Sequence, residues 1–315
     1  MIDIVVPYCS DKDVAWKQLK DAYMKEEGIK DRQATGEERY RDWDCFKYWF
    51  RGVENCCKWV NNIFLIVDRE SQIPEWLDTS NPKLRIVYHK EYIPNQLLPT
   101  YNASTIELFI NRINELSDNY IFCNDDFYFL NPVASNIFFV DDIPVYEDTA
   151  SPLVKYRDEL LEGSDGTFYK MLNNNMDFQL KINHDKAKSY AIDHLPSAHK
   201  KGFEQRIMNA FYYDFIRSQG LSRFRYGTNM TAQVFTSLYK DTKPYIKCDL
   251  YKNSKYVTLK STVDFSQYEN CDMVCFNDTE QLDDFEKTKN KLIAFFEHKF
   301  PNKSSFEKEV ENEES

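Results

Sequence analysis

Four short, mainly apolar stretches, residues 2–6, 62–67, 84–88 and 120–123, recur along the first 125 residues. Helical patterns fall between the first and second stretches and between the third and fourth. Continuous apolar runs alternating with helices mark strands covered on both faces, so a mostly parallel sheet is expected. Residues 42–57 place Phe46, Trp49, Phe50, Val53 and Cys57 at helical spacing, opposite a face carrying Asp44, Lys47 and Arg51. That charged face is either solvated or the rim of a cleft. Residues 102–116 read as a second helix, with Ile106, Phe109, Ile110 and Ile113 on one stripe and Leu116 near its end. In 203–219, Phe203, Ile207, Phe211 and Phe215 repeat every four residues, which predicts a third helix capped by Gly220. Residues 141–200 are polar and irregular, predicting a loop-rich or partly helical insertion. Beyond Ser304 the chain turns acidic, and 304–315 are expected to form a flexible tail.

Composition narrows the class. The 315 residues, 42% of them apolar, suffice for one large α/β domain or a core with an inserted subdomain. No stretch approaches the roughly 20 apolar residues of a spanning helix, and the opening residues read as a first strand rather than a signal. Eight cysteines without zinc-site spacing are read as reduced thiols in a cytoplasmic setting. A net charge of −11 argues against a nucleic-acid partner. The chain has 8 glycines and lacks both a dinucleotide fingerprint and a P-loop. A nucleotide would therefore have to be held by arginines, a metal and side-chain amides.

Candidate chemistry begins at Asn124-Asp125-Asp126, directly after the apolar residues 120–122. Adjacent acids also occur at Asp141-Asp142 and Asp283-Asp284, and any of the three pairs could be a solvated turn. Only the first sits where a buried strand ends, the edge at which open α/β sheets bind ligands. Carboxylate oxygens there would suit Mg²⁺ shared with substrate phosphates.

The surrounding residues carry a family resemblance. From Arg39 to Val133 the chain shows, in order, Arg39-Tyr40-Arg41-Asp42-Trp43-Asp44, Lys47-Tyr48, Arg51, Trp59-Val60, Asn62-Ile63, Asp68, Trp76-Leu77, His89-Lys90, Leu98-Pro99-Thr100-Tyr101-Asn102, Ile106-Glu107 and Asn124-Asp125-Asp126. His194-Leu195-Pro196, Arg223-Phe224-Arg225 and Cys275-Phe276-Asn277-Asp278 follow. This succession resembles the Stealth proteins, sugar-1-phosphate transferases that include bacterial capsular polysaccharide phosphotransferases and the GlcNAc-1-phosphotransferase of lysosomal enzymes. The opening Ile2-Asp3-Ile4-Val5-Val6 looks like the family's first block, although Pro7-Tyr8-Cys9-Ser10 replaces its usual Thr-Trp-Val-Asp continuation.

The resemblance implies an α/β, nucleotide-diphospho-sugar transferase-like (GT-A-like) fold: a mostly parallel sheet flanked by helices, with a helical C-terminal part closing the cleft. It implies one catalytic domain over residues 1–303. The implied reaction moves hexose-1-phosphate or N-acetylhexosamine-1-phosphate from a UDP-sugar to a glycan hydroxyl and releases UMP. Asp125, Asp126 and Asp278 would hold Mg²⁺ or Mn²⁺, with His194 as base and Arg225 on the transferring phosphate. Arg41, Asp44, Arg51, Asp68, Asn102, Glu107, Asn124, Arg223 and Asn277 are the expected substrate-binding residues. Asn102 and Asp278 equally suit helix N-caps, and Asp68 a turn. A capsule-type acceptor would be a lipid-linked oligosaccharide at the inner membrane face. The rival readings are a metal-dependent glycosyltransferase that releases UDP and a silent carbohydrate-binding protein.

Overall fold

The computed structural model describes residues 1–147, 149–191 and 194–309. Strands β1 (Ile2–Pro7), β2 (Ile63–Val67), β3 (Leu84–Tyr88) and β4 (Asn119–Phe122) form at the four apolar runs. They are parallel, in the order β4-β1-β2-β3. All five residues of β2 are buried, and their alternation separates two cores. Ile63, Leu65 and Val67 join one, whereas Phe64 and Ile66 join the other on the opposite face. This period of two explains why the run is apolar throughout instead of alternating.

After β4 the chain turns into β5 (Phe127–Phe129), while β6 (Ser197–Lys200) lies antiparallel on the outer edge of β4. A second sheet contains β5, β7 (Ser254–Thr258) and β8 (Met273–Asn277) in the order β7-β8-β5. Among the flanking helices are α1 (Val14–Glu26), α2 (Phe46–Cys56), α3 (Ala103–Leu108), α4 (Gly166–Asn183), α5 (Lys201–Ala210), α6 (Tyr212–Gln219), α7 (Gln233–Thr242) and α8 (Phe285–Lys299). The chain is thus α/β with a mostly parallel principal sheet. No helix among the described residues is long and apolar enough to cross a membrane. Helix α2 lies close against β5 because Gly52 lacks a Cβ, which would sit 2.6 Å from the Phe129 carbonyl oxygen.

Three expectations need correction. The helix expected over 102–116 ends at Leu108 and tightens into a 3₁₀ turn, Ile110–Arg112. The Asn111 amide donates to the Leu108 carbonyl at 3.1 Å, the acceptor that the Arg112 amide would need in a continuing helix. The helix expected over 203–219 is two helices broken at Phe211, where φ is −125° and ψ 30°. A four-residue repeat drifts about 40° per step around a straight helix, and the break returns Phe215 to the core it shares with Phe203. Gly220 caps α6 as expected, with φ −83°. Within 141–200 the 18-residue helix α4 dominates.

The third correction concerns the C-terminal segment. Residues 304–309 are packed instead of free, while 310–315 lie outside the described residues. Phe306 is buried with its ring 5.2 Å from that of Phe50, and Glu307 receives Arg51 Nε and Nη2 at 2.7 Å each. Arg51 Nη1 also reaches the Phe300 carbonyl at 2.8 Å. Arg51 therefore fastens this segment to α2 and does not face a substrate. Burial raises the Glu307 pKa, but the bonds from Arg51 and from the Ser304 amide outweigh it and hold the carboxyl below its ordinary value. A depressed carboxyl contributes stability above its unfolded pKa, near 4.5, and loses that contribution as pH falls through the folded value. Arg51→Ala should lower the unfolding free energy by about 3–5 kcal/mol at pH 7, because it strands a buried carboxylate. Urea denaturation checks this, and the gap from the parent should narrow on acidification below the ordinary glutamate value of 4.5. An undiminished gap there would rule out the ion pair as its source.

Candidate active site

The carboxyl ends of the parallel strands open into a cleft of 1130 Å³. Tyr8 and Cys9 follow β1, Asp68 follows β2, His89 follows β3, and Asn124, Asp125 and Asp126 follow β4. The cleft is also lined by Asn277 and Asp278 from the end of β8, His194 ahead of β6, Arg225 after α6, and the first turn of α4. The acid pair is held in a turn shared by two sheets. Cys123 donates its amide to Val5 in the main sheet at 2.9 Å, and Phe276 of β8 donates to the Asp126 carbonyl at 3.0 Å.

Burial pushes the Asp125 carboxyl up to about 8, aided by the charges of Asp126 and Asp42. Asp126 is pushed up to about 7, again mainly by burial; the Cys275 thiol opposes this at 3.5 Å, while Asp278 adds to it. Asp126 Oδ1 is buried without a hydrogen-bond partner. Two enclosed carboxylates and an orphaned oxygen make a donor set that fits a hard divalent cation. Asp278 does not complete a cage. Its oxygens receive Arg41 Nε and Nη2 at 2.7 Å each, Trp43 Nε1 at 3.0 Å and the Thr279 amide at 2.7 Å. Among the described residues no three ligands converge, so a cation here would depend on Asp125 and Asp126 and on substrate or water oxygens.

The other two acid pairs prove structural. Asp141 and Asp142 occupy a turn with φ 47° and 69°. Asp284 caps α8 through the Lys287 amide, and Asp283 holds Ser261.

Of the expected site residues, Arg41, Asp68, Glu107, Asn124, Asp125, Asp126, His194, Arg225, Asn277 and Asp278 line the cleft. Four others face elsewhere. Asp44 pairs with Lys12 and Lys289, and Arg51 with Glu307. Asn102 is fully buried, capping α3 through the Ser104 amide and donating to Asn229 at 2.8 Å. Arg223 pairs with Glu27 at 2.8 Å and lies 4.4 Å over the Tyr23 ring. Each of these charges or amides is already engaged by the protein itself.

Two cleft residues escaped selection from the sequence. Asp42 accepts the hydroxyls of Tyr8 at 3.0 Å and Ser10 at 2.9 Å, and its charge acts on Asp125. Arg39 enters the cleft three residues earlier. Both lie in the quoted run 39–44, where residue type alone does not reveal which charges turn inward. His194 is exposed at the rim, 5.2 Å from the Tyr256 ring; enclosure by the cleft walls and then the Arg225 charge lower its pKa.

A family model described as "Stealth protein CR2, conserved region 2" matches residues 39–145. Capsular polysaccharide phosphotransferase WcwK of Streptococcus pneumoniae is 31% identical over 334 residues, covering 98% of this chain and 98% of that one. The chain belongs to the Stealth family. Receptor polysaccharide phosphotransferase WefC of Streptococcus oralis is 40% identical over 157 residues, 50% of this chain and 47% of its own. The chain is accordingly a transferase of the phosphotransferase type. The solved bifunctional glycosyltransferase WbbM aligns with a TM-score of 0.41 and 11% identity, covering 96% of this chain and 50% of that one, a likeness too low to carry weight. In this Stealth protein the matched region supplies the acid pair, Arg39, Arg41, Asp42, Asp68 and Glu107, whereas His194, Arg225 and Asn277 come from beyond it.

Burial pushes Glu107 up to about 7, opposed by the Arg225 charge. A carbon-13 NMR titration of labelled glutamate should therefore show one carboxyl with a midpoint near 7. In Arg225→Gln that midpoint should move higher, since the charge that favours the carboxylate is gone. A midpoint that stays in place would show that Arg225 does not act on Glu107.

Proposed function

We propose that this protein transfers hexose-1-phosphate or N-acetylhexosamine-1-phosphate from a UDP-sugar to a glycan hydroxyl, releasing UMP, in the synthesis of a capsular or other cell-surface polysaccharide. The observation that carries this reading is the 31% identity to a curated capsular polysaccharide phosphotransferase across 98% of both chains. The cleft supports it, since it brings the enclosed acid pair together with Arg225 and His194. The acceptor oxygen attacks the phosphorus next to the sugar, and the bond from that phosphorus to the oxygen bridging the two phosphates breaks. The sugar keeps its own bond to phosphate, so its anomeric configuration is untouched.

Asp125 and Asp126 would hold Mg²⁺ or Mn²⁺, which when bound supplies positive charge to the diphosphate. Arg225 binds the oxygens of the transferring phosphate, as suits a planar guanidinium. His194 takes the acceptor proton; its lowered pKa keeps the imidazole neutral and able to accept near pH 7. Asn124 and Asn277 orient hydroxyl groups, and Asp68 binds the nucleoside side of the donor. A lipid-linked oligosaccharide at the inner face of the membrane fits as acceptor, with the enzyme acting from the cytoplasm.

Incubation with a panel of UDP-sugars, Mg²⁺ and acceptor glycan should release UMP and leave phosphorus in the glycan. UDP release would instead indicate transfer of the sugar alone, and binding without turnover a carbohydrate-binding protein. Asp126→Ala and His194→Ala should each lower transfer by at least about a hundredfold. Their melting temperatures should stay near the parent's, and near-normal turnover by either variant would overturn its role.

A further inference from the structure

The cleft contains a second arginine that the mechanism above leaves unused. Arg39 ends the short turn Glu37–Arg39 and lines the same cavity as Arg225, which follows α6; their chain neighbours Tyr40 and Phe224 pack in one cluster. Its Nε is buried without a hydrogen-bond partner. Most neighbouring arginines are clasped by a carboxylate: Arg32 by Glu280, Arg41 by Asp278, Arg69 by Asp68 and Arg223 by Glu27. Among the described residues, neither Arg39 nor Arg225 has such a clasp. Burial lowers the pKa of both, and the charge of Arg39 further lowers that of Arg225, to about 10. Two like charges thus share one cleft without an ion pair of their own, although Glu107 and Asp31 act on Arg225 and Glu38 and Asp31 on Arg39. Such an arrangement is costly unless an anion completes it.

We propose that Arg39 and Arg225 form a two-guanidinium cradle for the diphosphate of the nucleotide-sugar donor, with Arg39 as a second substrate-contacting arginine. The cradle rests on the donor chemistry proposed above. Two planar forks from separate segments of the chain can each bond phosphate oxygens in pairs. The anion would be gripped by both forks, and the electrostatic strain between the arginines would be relieved on binding.

The test is calorimetric titration with inorganic pyrophosphate, and separately with UDP, at low ionic strength in the presence of EDTA, so that a metal does not contribute. The parent should bind both, and Arg39→Gln and Arg225→Gln should each weaken binding by about tenfold or more. Arg39→Lys, which keeps the charge but loses the fork, should fall between the parent and Arg39→Gln. Without ligand, Arg39→Gln should melt at or above the parent's temperature, because it removes an unpaired buried cation. It should also lose the thermal shift that pyrophosphate gives the parent. No pyrophosphate binding by the parent, Arg39→Gln affinities within about twofold of the parent's, or a clear drop in the variant's melting temperature would each overturn the cradle. Pyrophosphate binding does not require turnover, so the cradle can survive failure of the UMP assay. Conversely, UMP release at the parental rate by Arg39→Gln would overturn the cradle and leave the proposed reaction standing.

Discussion

The turn that carries Asp125 and Asp126 belongs to two sheets at once, and the architecture of the cleft follows from that sharing. Cys123 is bonded into the main sheet, and the Asp126 carbonyl is bonded to β8 of the second. Those attachments fix the backbone that carries the two acidic side chains at the cleft. The raised carboxyl pKa values are the electrostatic consequence of their enclosure there. The same connection brings the end of β8, with Asn277 and Asp278, to the cleft at the ends of β1 to β4, although some 150 residues separate β8 from β4 in the chain.

The main sheet was legible because buried parallel strands leave nearly continuous apolar runs, and β2 shows why: alternate side chains feed two different cores. Helix ends were less legible. Whether Asn111 bonds to its own backbone, or where a four-residue repeat must break, is decided by what packs around the segment. The packed segment after Ser304 escaped notice because one aromatic and one acid, Phe306 and Glu307, carry the attachment within an otherwise polar stretch. In the site, Asn124-Asp125-Asp126 could be read from its position at a strand end. The direction of a charge could not. Arg41 and Arg51 both come from the strongest matching block, yet one lines the cleft and the other fastens the C-terminal segment.

The distribution of carboxylates among the arginines separates scaffold from cleft chemistry. Arg51 and Arg223 have their partners in the fold, so their contribution is already expressed as stability. Arg41 is intermediate, since it lines the cleft while gripping Asp278. That grip joins the first third of the chain to its last strand and sets the distance between the cleft walls without drawing on the acid pair. A protein rich in acids can thus hold positive charge in one small region by satisfying its other cations elsewhere.

The Arg51–Glu307 clasp also bears on how the chain is made. Helix α2 emerges early from the ribosome with a guanidinium set among Tyr48, Trp49 and Phe50, and its carboxylate follows 256 residues later. Until Glu307 has been synthesised and has cleared the exit tunnel, that side of the first core holds a cation without its counter-charge and lacks the ring of Phe306. Vectorial synthesis lets many chains fold from the front, domain by domain. Here α2 must remain incompletely packed until residues 306 and 307 follow, which makes closure of this core late relative to the helix and lengthens the time for which its aromatic face is open to chaperones.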